Sequence, residues 1–419
     1  MSKDERTKAN CEVFERMCKS EPILTDLKPA IDVLPNMTND TILTSGPILP
    51  WSDYYGGQRN AILGAALFEG LAESSTDADQ KLASGRIRLG NCHNYNCVGS
   101  LAGVYTASMP VFVVQNATYG NTGYCNMYEG TNPKRLNYGV YDEEVRQRLL
   151  FVQEVLAPVI GDAIRLNGGL KLKPTMQRAL HMGDELHSRN TAASLLFANE
   201  LFPHFLKLYS DQSESVANSV KALTEDHYFF LRLSMAAAKC TADAAHNIES
   251  SSVVTAMVFN CQNFAIRISG LGDRWFLGPH ASVNAKLFDG YTEDDIGWMG
   301  GESPITETIG LGGFAQACAF PLQQYQGGSA EVMVEQNVDL YQITMGENDD
   351  FRIPFLGYRG TPTAIDVFKV AEKNILPIMD IGIAGKDGGQ IGAGLVRAPI
   401  ECFTSALEFY QQTYAADPQ

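Results

Sequence analysis

The fifteen residues GKDGGQIGAGLVRAP, Gly385 to Pro399, combine five glycines with one lysine and one arginine. Bare backbone N–H groups beside two cations are what an oxyanion or phosphate asks of a protein. Lys386, Gln390, Gly392, Gly394 and Arg397 are therefore read as a phosphate cradle, with a glycine turn carrying solvated charges as the alternative. The stretch lacks the G-x-x-x-x-G-K-[ST] order of a P-loop, and Arg397 stands where a dinucleotide fingerprint needs its third glycine.

Four further segments carry candidate chemistry. In GGESPITETIGLGGFAQACAFP (300–321), Ser303 and Thr306 offer hydroxyls and Glu302 and Glu307 carboxylates, ahead of an expected Ala-rich helix whose glycine-rich start suits anions. In HMGDELHSRN (181–190), read as helical, His181, Asp184, Glu185 and Ser188 share a stripe, and Glu185 and Arg189 stand at ion-pair spacing. The segments NCHNYNCVGSLAGVYTASMP and QNATYGNTGYCNMYEG supply His93, Asn96, Asn116, Asn121, Tyr124 and Glu129 from expected loops; amide-rich loops hold small polar molecules well. In FAIRISGLGDRWFLGP, either Arg267 or Arg274 is suited to grip a carboxylate, and Arg267 shares a strand face with Ala265 and Ser269.

The whole chain constrains what these groups serve. Its 419 residues carry a net charge of −16, which repels nucleic acid and anionic membranes, so an anionic ligand needs local cations. The opening MSKDERTKANCEVFERM lacks a signal peptide's apolar core, and no apolar run approaches the ~20 residues of a membrane span; a cytoplasmic protein is expected. Nine scattered cysteines without a C-x-x-C pair indicate neither a disulfide framework nor a common zinc pattern, and no metal or cofactor is expected.

The elements that must position these groups fall into three textures. Residues 4–20 read as an exposed amphipathic helix, and ILTDLKPAIDVLP with SGPILPWSDYYGGQ as a linker; a helix over 60–71 and short β runs including VFVV follow. From Asp142 the apolar spacing is helical for about a hundred residues, and after Glu249 strands return among Gly-rich turns until a closing helix, FTSALEFYQQTY. The expected fold is α+β, with mixed domains at 1–141 and 249–419 on either side of a small helical domain at 142–248.

Taken together, these segments resemble the YlbE-like or AllG family of oxamate carbamoyltransferase subunits, linked to anaerobic allantoin breakdown. The likeness runs in order through GAxLFEGxA (64–72), CHxxNxVG (92–99), ASMPxxVVxNxTxGNxxYCxxxEG (107–130) and MGDExHxRNxAxSxL (182–195). It continues in VTAMxxNxxxFxIRxSGLGxRWF (254–276), ITETxGxGGxA (305–315) and GQIGAGxVRAPxxCFxxAL (389–407), and departs from the family pattern at Gly278, Glu302 and Gly385.

The resemblance implies the conversion of oxalurate and phosphate to oxamate and carbamoyl phosphate, by an enzyme active with further subunits, one similar to acyl-CoA synthetases. The same resemblance implies an α+β architecture in which two mixed α/β domains are joined by a small orthogonal helical domain. On that reaction, Lys386, Gln390 and Arg397 with the 389–394 turn take phosphate, and Arg267 or Arg274 takes the carboxylate. His93 serves as acid/base with Glu129 and Glu307 as further catalytic candidates, while Asn96, Asn116, Asn121, Tyr124, Ser303 and Thr306 orient substrate. A non-catalytic scaffold subunit is the competing reading, and a hydrolase of a urea-like or amide substrate built on His181, Asp184 and His187 around a metal is a third. A second copy of the chain is a further candidate partner.

Overall fold

The computed structural model describes residues 3–415. Its first sheet has five strands, in the order Cys97–Val98, Thr122–Asn126, Pro110–Asn116, Pro22–Pro29 and Leu170–Lys171. VFVV forms its strand as expected, with Val111, Phe112 and Val114 buried. Asn116 ends that strand because its carboxamide oxygen accepts the N–H groups of Thr118 and Tyr119, closing the turn to the next strand.

Pro22–Pro29 corrects an expectation, since ILTDLKP was read as linker and is a central strand of this sheet. Prolines at both ends and a register shift between Leu24 and Asp26 break the period-2 pattern that identifies a strand. The preceding helix, Lys3–Lys19, is stitched by the pairs Glu12–Arg16 and Glu15–Lys19 on its outer side and buries Val13 and Met17.

The expected helical stretch contains Glu143–Phe151, Ala157–Asn167, Leu172–His181, Thr191–Leu208, Ser213–Glu225 and Leu231–Ala244. The last of these is buried along almost its whole length and packs against the strands Pro110–Asn116 and Thr122–Asn126. Gly123 makes that approach possible, because a Cβ there would lie 2.8 Å from the Ala236 carbonyl oxygen and 2.6 Å from the Cys240 nitrogen. HMGDELHSRN is not helical beyond His181. It is a loop in which the Glu185 carboxylate accepts the backbone N–H groups of His187, Ser188 and Arg189, so the expected Glu185–Arg189 side-chain pair does not form.

After residue 250 come a three-stranded sheet (Val254–Phe259, Phe264–Ile268, Phe276–Gly278) and the hairpin Thr344–Ile353 with Arg359–Ile365. A four-stranded sheet is ordered Ser282–Leu287, Gln390–Arg397, Ile378–Gly385, Ile296–Gly297, and the closing helix is Ile400–Thr413. The segment from Glu302 to Cys318 is buried, but in place of one Ala-rich helix it forms the short helix Ile305–Thr308 and a 3-10 stretch over Gly312–Cys318, kinked at Ala315. One core joins the first sheet, the middle helices and this segment; a second lies between the later sheets and the closing helix.

Candidate functional site

A cleft of about 550 Å³ opens where the turn after Arg88–Asn91, the helix Leu231–Ala244 and the strand Phe264–Ile268 converge. The turn Cys92–Tyr95 places His93 and Asn94, and Asn96 closes it in a left-handed conformation (φ 56°) that asparagine tolerates better than most residues. The alternation of FAIRI brings Arg267 into the same cleft, and the helix contributes Lys239 and Asp243, one turn apart.

The contacts define the protonation of His93. Its Nδ1 lies 3.2 Å from Lys239 Nζ, which also binds Asp243 Oδ1 at 2.7 Å. An ammonium has only protons to offer, so Nδ1 must accept and the proton of the neutral ring is assigned to Nε2. That Nε2 is buried and has no protein partner. Burial first, then the Lys239 and Arg267 charges, hold the imidazole well below its usual pKa. The rings of His93 and Trp275 meet at nearly a right angle with centres 5.4 Å apart, which helps to fix the imidazole plane.

Arg267, only 5 % exposed, is held by the Asp273 carbonyl on Nε (3.1 Å) and Asn94 Oδ1 on a terminal nitrogen (2.9 Å), with its carbon 4.1 Å from the Trp275 ring centre. Its other terminal nitrogen is 3.6 Å from the exposed Asp273 carboxylate, a loose pair that a ligand carboxylate can displace. His246 completes the rim, with Nδ1 on Thr255 at 2.8 Å. Behind His93, the fully buried Glu302 accepts the N–H groups of Gly46 and Gly99, both at 3.0 Å, and burial pushes its carboxyl up to about 7.

Of the residues expected from sequence, His93, Asn96 and Arg267 line this cleft together. Asn116 and Asn121 are held elsewhere: Asn116 binds Ser20 and the turn after its strand, and Asn121 donates to the Cys240 carbonyl. Tyr124 is half-buried in the first sheet, packed beside Cys92 and Cys97. Arg274 points away to cover the Phe409 ring at 4.1 Å. Glu129 accepts the backbone N–H groups of Leu136 and Asn137, which ties a turn. Ser303, Glu307 and Gln390 belong to a different region, in which Glu307 Oε1 meets His187 Nδ1 at 2.7 Å and Thr306 lies 2.8 Å from Glu307 Oε2.

The 385–399 stretch supplies the turn and second strand of the β-hairpin that begins with Ile378–Gly385, so the two cations expected to form the cradle do not converge. Lys386 lies at its turn, bound to the Asp294 carbonyl and Asp295, whereas Arg397 ends the second strand opposite Ile378 and Ser282. Seven residues of extended strand separate them by roughly 23 Å. Gly392 and Gly394 are needed for another reason: a Cβ at Gly394 would lie 2.4 Å from the Asn284 carbonyl oxygen of the neighbouring strand, and one at Gly392 2.6 Å from that of Lys286.

His181 faces Tyr358 while His187 turns inward to Glu307, so the two histidines do not share a site. Among the described residues no group of three or more His, Cys, Asp or Glu is placed to hold a metal ion, and no helix is long and apolar enough to cross a membrane. Sequence reasoning missed Lys239, Asp243 and Trp275. The available signal was a lone lysine in AAAKCTADAAHN with an acid four residues on.

Comparison with known proteins bears on the fold and the family. A crystal structure of a conserved protein of unknown function from Enterococcus faecalis V583 superposes with a TM-score of 0.94 at 40 % identity, over 97 % of this chain and 98 % of that one. Uncharacterized protein YahG of Escherichia coli K12 is 40 % identical over 98 % of this chain and 87 % of its own length. Oxamate carbamoyltransferase subunit AllG of the same organism is 37 % identical over 96 % of both. The family model described as oxamate carbamoyltransferase subunit AllG matches residues 87–303, a span that holds every residue lining the cleft except Ile48. The chain belongs to the AllG family of oxamate carbamoyltransferase subunits.

Proposed function

We propose that this chain carries the carbamoyl-transfer site of an oxamate carbamoyltransferase, with the cleft around His93, Lys239 and Arg267 as that site. The reaction is oxalurate plus hydrogen phosphate giving oxamate plus carbamoyl phosphate. A phosphate oxygen forms the new bond to the ureido carbon, the bond from that carbon to the imide nitrogen breaks, and the phosphate's proton ends on the departing nitrogen. All atoms and the total charge of −3 balance without any further reactant.

The observation that carries this reading is the convergence, in one cleft of an acidic chain, of two buried cations and an unpartnered imidazole N–H. Arg267 is placed to grip the oxalurate carboxylate from its Trp275 support. A neutral His93 donates Nε2–H to the ureido oxygen as negative charge builds on it, and Lys239 fixes the tautomer that makes this donation possible. This departs from the acid/base role expected of His93, because a ring held far below its usual pKa is a poor source of protons near neutrality. Asn96 and Asn94 border the space left for the ureido group.

The partner subunits, supported by the relative's name as an oxamate carbamoyltransferase subunit, belong to the same proposal, as do the place of the reaction in allantoin breakdown and a cytoplasmic location. The test is reconstitution with the partner subunits from the same genome. His93→Gln and Arg267→Ala should each abolish or sharply reduce carbamoyl phosphate formation while the complex still assembles. Assembly with full activity in both variants would instead make this chain a scaffold.

A further inference from the structure

Ser100 and Ser303, which follow Gly99 and Glu302 in the chain, line not the cleft but a second cavity of about 40 Å³. A cavity of that size has room for about one small oxyanion or two or three waters. On one side stands Arg135, 2 % exposed. Its guanidinium donates to the Tyr128 hydroxyl, the Gly130 carbonyl (3.1 Å) and Gln390 Oε1 (2.8 Å), and lies 4.4 Å from the Tyr138 ring centre. Its Nε has no acceptor, and no carboxylate of the described residues reaches ion-pair distance. On the other side is His187, whose Nδ1 is committed to Glu307, leaving Nε2 for a ligand.

A buried guanidinium without a counter-ion is uncommon, because an unpaired buried charge is costly. The neighbouring carboxylates act on it only from beyond ion-pair distance, Glu129 foremost among them. Glu129 is taken by the N–H groups of Leu136 and Asn137, Asp226 by that of Tyr228, Glu185 by three backbone donors and Asp380 by Gln316 and Gln326. An outer cleft adjoins the cavity. Tyr228 and Tyr325, with ring centres 6.1 Å apart, and Ser188 border both this cavity and an outer cleft of about 360 Å³ that includes Arg189 and His227.

We propose that this cavity is a second ligand site, which takes one small oxyanion between Arg135 and His187 and admits it from the outer cleft past Tyr228 and Tyr325. Phosphate and the carboxylate of a small acid share the chemistry it recognises. Gln390 is the one member of the sequence-expected cradle that reaches it. The site stands independently of the transfer reaction proposed for the His93 cleft.

Titration calorimetry on the isolated full-length chain, with inorganic phosphate in one arm and formate in the other, needs no turnover and so tests this site separately. Gln390→Glu and Asn137→Asp each place a carboxylate in the cavity wall, with circular dichroism as the check on folding. We expect the wild type to bind at least one probe at millimolar concentration. Each folded variant should then bind about tenfold more weakly or worse, as loss of a charge-assisted contact implies. Tighter phosphate binding identifies free phosphate as the source, and tighter formate binding a small carboxylic acid. No binding of either probe, or unchanged affinity in a folded variant, overturns the proposal. Should neither variant fold, phosphate-soaked crystals decide: density between Arg135 and His187 supports the site, and its absence overturns it.

Discussion

Lys239→Met keeps the length of the side chain at the back of the cleft while removing its charge and all three donors. The immediate structural cost falls on Asp243, whose carboxylate loses a 2.7 Å partner but is a quarter exposed and can be rehydrated. That cost should be about 1–2 kcal/mol, within what a folded chain of this size tolerates. The larger effect is on His93. An ammonium 3.2 Å from Nδ1 opposes an imidazolium by about 5 kcal/mol at an effective dielectric constant near 20, of which Asp243 cancels a part. Burial persists in the variant, so the His93 pKa should rise without exceeding its ordinary value. The isolated chain has seven histidines, which makes an NMR titration against pH tractable, with His93→Gln to assign the resonance. A His93 that already titrates near the usual histidine pKa in the wild type, or that does not move in Lys239→Met, would refute the assignment of a neutral ring held by Lys239.

Arg267→Lys replaces a planar grip, stacked on Trp275 and tied to Asn94, with a point charge, and should raise the KM for oxalurate about tenfold to a hundredfold in the assembled complex with a smaller change in kcat. Glu302 has a folded pKa of about 7 against 4.5 for the free group, so the folded state binds the extra proton between those values and its contribution is full below pH 4.5 and lost as pH rises through 7. Urea unfolding at stepped pH should therefore show stability falling between about pH 4.5 and 7, and Glu302→Gln should flatten that slope by up to about 1.4 kcal/mol per pH unit within the window. Asn116→Ala should lower stability by about 2–3 kcal/mol in urea unfolding and leave KM values alone, because its carboxamide ties Ser20 to the turn at Thr118 and Tyr119. The double variant Lys386→Ala, Arg397→Ala should leave the phosphate KM unchanged, since the hairpin holds these cations at opposite ends.

Regular periodicity carried most of the fold that sequence revealed. Pro110–Asn116 was legible as a short apolar run stopped by a polar turn, and Ile400–Thr413 because apolar, buried residues recur every third or fourth position. Arg267 was legible for the same reason, since strand alternation singles it out between Ile266 and Ile268. Pro22–Pro29 was hidden by its bulge and terminal prolines, and the 182–190 loop by a helical spacing that Glu185 overrides when it collects three backbone N–H groups. The glycines of 385–399 marked close approach, but only the strand beside them shows that the approaching body is Asn284–Ala285 and not an anion. Lys239 reaches His93 across 146 residues of sequence, a contact that no local pattern encodes.

The most direct test of the central claim is a crystal structure of the chain, alone or in its complex, with oxamate bound. The oxamate carboxylate should lie on the Arg267 guanidinium and its amide end toward His93 Nε2, within the cleft that Lys239 and Trp275 border. Oxamate bound in another subunit or elsewhere on this chain, with the His93 cleft left to solvent, would contradict it.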